Sequence, residues 1–135
     1  MASGIYNRFK ANLMNKEIDL EADTIKIILL DNSHSFSATD NVLTDVSTNE
    51  ITGTGYTANG EALSNKAVTQ AATTKWDADD VSWTSASFSA YHAVIYDDSL
   101  GSDDLICSLD FGGEQTVSSG TFTIEFDSDG IITLA

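Results

Sequence analysis

The chain has 135 residues, one cysteine, no proline and a formal net charge of −15, which arises from 21 acidic and only 6 basic side chains. Nucleic acids and anionic membranes both attract lysine and arginine, so this charge argues against either as a partner. A hydrophobic content of 41% excludes a disordered acidic tail. The single cysteine, Cys107, excludes an intramolecular disulfide and a cysteine-based metal cluster.

The length predicts one domain, residues 1–135, made of a helical segment 1–16 and a β body 17–135. The opening residues MASGIYNRFK lack the apolar core of a signal peptide, and no apolar run is long enough to span a bilayer. We therefore expect the protein to be made in a cytoplasm-like compartment.

The charge is unevenly distributed along the chain. Residues 1–30 contain as many basic as acidic side chains, so the whole excess lies in residues 31–135. Such an asymmetry often separates a docking element from a solvated body, although a helix whose basic residues simply face water gives the same pattern.

The first predicted element is a helix over residues 3–15, with Ser3 as its N-cap. Apolar side chains recur along it at a spacing of four, which is typical of one helix face. This stripe and two neighbouring basic residues form a candidate interface, which consists of Ile5, Arg8, Phe9, Lys10 and Leu13.

Two runs indicate buried strands. Residues 24–30 are β-branched and almost entirely apolar, and residues 87–96 carry bulky side chains on both faces, so we predict that the second run is the central strand. Between them, residues 39–46 predict a short helical turn.

The rest of the chain reads as short strands separated by turn residues at intervals of about 8–12 residues, which predicts an antiparallel β-sandwich with jelly-roll or Greek-key connections. Alternation places Leu105 and Cys107 on one face of a strand. The pair Asp129–Gly130 predicts a hairpin in which residues 131–134 return against residues 122–126.

Catalytic motifs are not evident in the sequence. The two histidines are His34, in a polar loop, and His92, in the predicted central strand, where a lone histidine is usually a hydrogen-bonded core residue. No nucleophile motif accompanies them, and burial in an apolar strand would keep Cys107 inert. We therefore predict that the protein is not an enzyme and has no cofactor.

Two clusters of carboxylates are candidate Ca²⁺ ligands, because this ion binds oxygen atoms and one acidic loop supplies several of them. The clusters consist of Asp77, Asp79 and Asp80, and of Asp127 and Asp129. The spacing does not match an EF-hand. The interpretation we favour is that these residues hydrogen-bond their own backbone in tight turns.

Aromatic side chains offer a second kind of binding site. Trp76, Trp83, Tyr56 and Tyr91 have rings that can stack on sugars, although core packing explains aromatic residues in strands equally well.

A succession of short segments resembles a known family. The segments are IDL (18–20), DTIKIILLD (23–31), NEITGTGYT (49–57), DADDVSW (77–83), AVIYDD (93–98), DFGG (110–113), GTFTI (120–124) and GIITL (130–134). In this order, and over nearly the whole chain, they are similar to small virion structural proteins of tailed bacteriophages.

The resemblance implies a structural component of the particle, of the minor capsid, decoration or tail-associated kind. We expect a capsid decoration (cement) protein on the outside of the head, because packaged DNA would repel so acidic a body. Its expected partners are the major capsid protein, other virion proteins and further copies of itself. The alternative is a tail, fibre or baseplate subunit, with Trp76 or Trp83 contacting glycans.

Overall fold

The computed structural model describes residues 3–135. Its helix and strands are β1 (Gly4–Ile5), α1 (Asn7–Met14), β2 (Ile25–Leu30), β3 (Glu61–Ala62), β4 (Ala67–Thr69), β5 (Thr74–Asp77), β6 (Val81–Asp97), β7 (Asp104–Ile124) and β8 (Ile132–Leu134). Two short 3₁₀ turns, Leu43–Asp45 and Ser47–Asn49, lie between β2 and β3, within the region where a helical turn was predicted and just after it.

The strands form two antiparallel sheets, which confirms the predicted mainly β fold with one helix near the N-terminus. The large sheet has the order β1-β7-β6-β2-β3, and the small sheet has the order β4-β5-β8. The predicted central strand lies within β6, between β7 and β2. Strand β2 is buried on both faces, as its continuous apolar run predicted.

The main core lies between the large sheet and the small sheet. Five aromatic rings pack together within it or at its margin, with Trp83 and Phe122 at a centroid distance of 6.0 Å and Phe88 and Phe122 at 5.2 Å; the other two are Tyr56 and Phe111. Trp76 and Ile132 contribute from the small sheet, and Phe9 contributes from α1. The sandwich is therefore closed by apolar contacts between its two layers.

The opposite face of the large sheet is covered by residues 31–49, without a second sheet. We call the apolar cluster beneath this segment the loop-covered core; it consists of Tyr6, Ile28, Leu30, Leu43, Val46, Val94, Tyr96 and Leu105. Asp45 closes a turn within the segment, since its carboxylate accepts the backbone N–H groups of Asn41 and Val42. The segment is held to the sheet by backbone hydrogen bonds, among them the N–H of Leu105 to the carbonyl of Asn41 at 3.0 Å.

Strand β7 is irregular along its length. Between the pairs Ala90–Gln115 and His92–Asp110, the chain moves two positions along β6 but five positions along β7. The additional residues of β7 form a bulge at residues 111–114. Two glycines with positive φ, Gly112 and Gly113, form this bulge. Strand β1 pairs with the outer edge of β7 only at Cys107 and Ser108. From residue 109 to the end of β7, this edge has no strand partner among the described residues.

The predicted helix start is wrong. Helix α1 begins at Asn7, and Gly4–Ile5 instead form β1, which pairs with β7. Glycine disfavours a helix by about 1 kcal/mol relative to alanine, and a side chain at Gly4 would collide with the ring of Phe36. Ser3 does not cap the helix; its hydroxyl accepts the backbone N–H of Asp110.

The predicted C-terminal hairpin is also wrong. Strand β8 pairs with β5, with Ile132 opposite Trp76, and not with residues 122–126. A turn at Asp127–Gly130 carries the chain away from β7, and the N–H of Ile131 then donates to the carbonyl of Trp76 at 2.7 Å. The last strand thereby links the two layers of the sandwich.

Candidate functional site

An apolar groove of about 120 Å³ lies between α1 and the small sheet. We call the surface around it the groove face and define it by Leu13, Leu20, Val68, Trp76, Ile132 and Leu134. A cleft of about 350 Å³ adjoins it, lined by Leu13, Val68 and residues of segment 16–23. Helix, connecting segment and small sheet thus contribute to one concave surface.

The groove face carries two of the three large exposed apolar side chains among the described residues. Among the described residues, the large hydrophobic side chains that remain exposed are Met14 (88%), Leu134 (57%) and Val68 (42%). Two of them line the groove, and Met14 follows Leu13 at the end of α1. An apolar surface gathered at one place is typical of an interaction site.

The charge at the groove face is mixed. Lys75 lines the groove and Lys16 lines the adjoining cleft, together with Glu17, Asp19 and Asp23. This differs from the molecule as a whole, in which acidic residues outnumber basic ones by 15. The electrostatic repulsion of an acidic partner is therefore weaker at the groove face than over the rest of the surface.

The five residues predicted as an interface divide between different environments. Leu13 lines the groove, and Phe9 lies at its base with only 3% of its surface exposed. Lys10 is exposed on α1. Ile5 lies in β1, and Arg8 lies 3.6 Å from Asp104, so both face β7. The apolar stripe of α1 therefore packs mainly on the body of the same chain.

A pair of carboxyl groups lies beside the groove face. Asp97, at the end of β6, is fully buried, and its Oδ1 accepts the N–H of Ser99. Its Oδ2 is buried without a hydrogen-bond partner, while its side chain lies within hydrogen-bonding reach of Asp23. Burial, and then the carboxyl of Asp23, raise the pKa of Asp97 to about 7.

A second buried carboxylate, Asp104, lies opposite Asp97 on β7. Its Oδ2 accepts the side-chain N–H of Asn12 at 2.8 Å, and Arg8 forms a longer ion pair with it at 3.6 Å. These residues line an open cavity of about 370 Å³. Asp104 thus ties α1 to the large sheet.

The two histidines meet where the 31–49 segment, which contains His34, packs on the large sheet, which contains His92. His34 Nε2 lies 3.2 Å from Ser108 Oγ, and the ring of His34 lies edge-on to that of His92 at 5.0 Å. Burial, and then His92, lower the pKa of His34. Ser108 is 1% exposed, so its hydroxyl does not reach a substrate in solvent. The arrangement resembles a nucleophile pair in composition but stabilises a covering loop.

Four of the five calcium candidates, all but Asp129, accept hydrogen bonds in turns or at strand ends. Asp77 accepts the N–H of Ala78, Asp79 accepts the side-chain N–H of Asn65, Asp80 accepts the N–H of Phe126, and Asp127 accepts the N–H of Asp129. Across residues 3–135, no three acidic, histidine or cysteine side chains are grouped so that they could hold a metal ion.

The tryptophans and the cysteine are internal. Trp76 and Trp83 are each 2% exposed, and the indole N–H of Trp76 donates to the carbonyl of Leu20, so neither ring offers a face to a sugar. Tyr56 donates its hydroxyl to Glu50, and the partly exposed Tyr91 donates to Glu114. Burial raises the pKa of Cys107 to about 12, so its thiol stays protonated.

Sequence reasoning missed the groove, the Asp23–Asp97 pair and the histidine contact. Each joins residues far apart in the chain, and no local pattern marks them. The one signal present was the two-residue spacing of Ile95 and Asp97, which places a carboxylate at the buried end of an apolar strand.

No protein family, curated protein or solved structure matches this chain. In the part of the chain that the structure describes, no helix combines the length and apolar character needed to cross a bilayer.

Proposed function

We propose that this chain is a structural protein of a tailed-bacteriophage virion, namely a decoration protein that binds the major capsid protein on the outside of the head through the groove face. The observation that carries the proposal is the gathering of exposed apolar side chains at a surface of mixed charge on a strongly acidic molecule. The family resemblance of the sequence supports the virion assignment.

The groove face replaces the apolar stripe of α1 as the proposed docking surface. Phe9 packs within the main core, whereas Leu13, Val68 and Leu134 present apolar surface to a partner. The groove suits an apolar side chain of the shell, with Lys16 and Lys75 at its margins for acidic groups of the same partner. The acidic remainder of the molecule then faces solvent, away from DNA.

Binding to purified heads that lack this protein tests the proposal. We expect the wild-type chain to co-sediment with the heads and Leu134→Glu to bind at least about tenfold more weakly, because a carboxylate would be desolvated in an apolar contact. Ser118→Glu is the matched control, since it adds the same charge at an exposed position on β7. Equal binding of Leu134→Glu and the wild type would reject the groove face.

Single-particle imaging of the virion tests the location. Density on the outer surface of the head supports a decoration protein, whereas density in the tail, fibre or baseplate supports the alternative assignment. The same images give the number of copies at each site. We expect a symmetric oligomer, because a symmetric shell presents repeated sites.

A further inference from the structure

We propose that Asp97 and Asp23 share one proton and that this shared proton holds residues 15–24 against β6. We call this contact the clasp. Loss of the proton opens one side of the groove. The clasp itself is independent of the docking role. Its consequence for binding rests on the function proposed above.

The carboxyl groups of Asp23 and Asp97 are neighbours, because Ile25 pairs with Asp97 across β2 and β6 and the N–H of Asp98 donates to the carbonyl of Thr24 at 2.8 Å. Two ionised carboxylates at hydrogen-bonding distance repel one another, and burial strengthens the repulsion. Asp97 has a buried Oδ2 with no donor, so that oxygen is the one that needs the proton. Asp23 Oδ2 already accepts the backbone N–H of Asp19 at 3.1 Å, so Asp23 acts as a hydrogen-bond acceptor here. Asp97 therefore holds the proton and donates it to Asp23.

The clasp fixes a turn that contributes to the groove face. The carboxylate of Asp19 accepts the N–H groups of Glu21 and Ala22, which closes the turn from 19 to 23. Within this turn, Leu20 lines the groove and its carbonyl accepts the indole N–H of Trp76 at 3.0 Å. Displacement of the turn would move both the side chain and the carbonyl, and so change the shape of the groove.

The surroundings of Asp97 favour its protonated form. Asp98 and Asp103 follow it in the β6–β7 turn, Asp104 lies opposite it on β7, and Asp23 lies in the 15–24 segment. The nearby cations are engaged elsewhere, since Lys26 of β2 pairs with Asp98 at 3.3 Å and Arg8 of α1 lies 3.6 Å from Asp104. Of these groups, Asp23 is the one whose charge raises the pKa of Asp97, after burial and the hydrogen bond between the two carboxyl groups.

The direction of the pH effect follows from the raised pKa. The folded chain holds this proton up to about pH 7, whereas an unfolded aspartate loses it at about pH 4. The contribution of Asp97 to stability therefore declines as the pH rises from about 4 towards 7. Above pH 7 the proton dissociates to solvent and leaves two facing carboxylates.

Carbon-13 NMR of the side-chain carboxyl groups of the wild-type chain tests the clasp without a partner. We expect Asp97 to titrate near neutral pH, and the exchange protection of the amides of residues 19–23, corrected for the intrinsic rate, to fall by up to about tenfold per pH unit above the midpoint. Titration of both Asp97 and Asp23 below about pH 5 would overturn the proposal, whatever any variant does.

Asp97→Asn provides the second test, because an amide donates to Asp23 at any pH. We expect protection of residues 19–23 in this variant to be independent of pH between 6 and 8. The control Asp129→Asn, which removes a charge from an exposed turn, should follow the wild type. Protection that still falls with pH in Asp97→Asn would overturn the clasp.

Co-sedimentation with the purified heads at pH 6 and pH 8 separates this inference from the proposed function. Wild-type binding that weakens at pH 8, with Asp97→Asn binding equally at both, supports the coupling. Binding of the wild type that is equal at both pH values overturns the coupling and leaves the docking role intact. Absence of binding at either pH overturns the docking role, while the NMR titration still decides the clasp.

Discussion

The two faces of the large sheet are covered in different ways. On one face, the small sheet and α1 close the main core with regular secondary structure, and on the other the irregular segment 31–49 closes the loop-covered core. Each side also has a buried titratable group: Asp97 lies at the end of β6, and His34 lies within the covering segment and contacts Ser108 of β7. Burial raises the pKa of Asp97 and lowers the pKa of His34, so the two groups respond to pH in opposite directions.

The largest expected effect comes from removing residues 1–16, which contribute to both cores. Tyr6 is fully buried in the loop-covered core, and Phe9 is 3% exposed in the main core. We expect the truncated chain to lose cooperative unfolding in urea and its near-ultraviolet circular dichroism. Met14→Ala, at an exposed position, should unfold like the wild type. A truncated chain that unfolds cooperatively would show that these residues add little to either core.

Substitutions at two neighbouring residues of β2 allow the packing under the two covers to be compared directly. Ile27 and Ile28 are both fully buried, but Ile27 faces the main core and Ile28 faces the loop-covered core. Truncation of a buried isoleucine to alanine costs about 2–5 kcal/mol, and less where the surroundings can collapse into the cavity. We expect Ile27→Ala near the upper end and Ile28→Ala near the lower end, as measured by urea unfolding. Equal costs would show that the loop packs as rigidly as the sheet.

A hydroxyl group links the edge of the main core to the loop connecting β2 and β3. Tyr56 donates to Glu50 Oε2 at 2.5 Å, and its hydroxyl accepts the N–H of Leu29 at 3.1 Å. Tyr56→Phe leaves both partners without this contact, which should cost about 1–3 kcal/mol of unfolding free energy. Tyr91→Phe, whose hydroxyl contacts Glu114 at the surface, is the control and should cost less. Equal losses would remove any special role for Tyr56.

The smallest expected effect is the pH dependence of the loop-covered core. The pKa of His34 is lowered by burial and by His92, so the unfolded chain binds a proton there at a higher pH than the folded chain. The contribution of His34 to stability is therefore lost as the pH falls below about 6.5. We expect His34→Gln to remove part of this acid-side decline in the urea midpoint. A variant profile parallel to that of the wild type would contradict this role.

The elements set by local patterns were predictable from the sequence. Strand β2 follows from a continuous apolar run, and the central position of β6 follows from its bulky residues on both faces. The start of α1 was not, because the pairing of Gly4 and Ile5 with β7 involves residues about 100 positions away. A local cap signal carries no information about such a partner.

A bulge in β7 makes the side-chain directions predicted from alternation wrong. Leu105 and Cys107 were predicted to share a face, but Tyr96 pairs with Leu105 and Ile95 pairs with Cys107, which leaves Ile106 as an extra residue. Leu105 therefore faces the loop-covered core, while Cys107 faces the main core. One inserted residue reverses the side-chain period of two, and nothing in the apolar run LICSL marks where it occurs.

The candidate site was only partly predictable for the same reason. Leu13 was identified from its helical spacing, whereas Val68 and Leu134 belong to short strands whose pairing the sequence does not reveal. The contact of Asp97 with Asp23 likewise depends on how a connecting segment crosses the end of β6. Sites built from strand edges and connections require the tertiary structure.

The bulge at Gly112 and Gly113 affects whether closely packed copies of the chain can associate through their strand edges. An uninterrupted strand with a free edge is a template on which a neighbouring molecule can add its own strand. The bulge breaks the free edge of β7 soon after β1 ends, and the adjacent Glu114 places a charge beside the break. Copies held side by side at high local concentration would therefore remain separate folded units and would not merge into a continuous sheet.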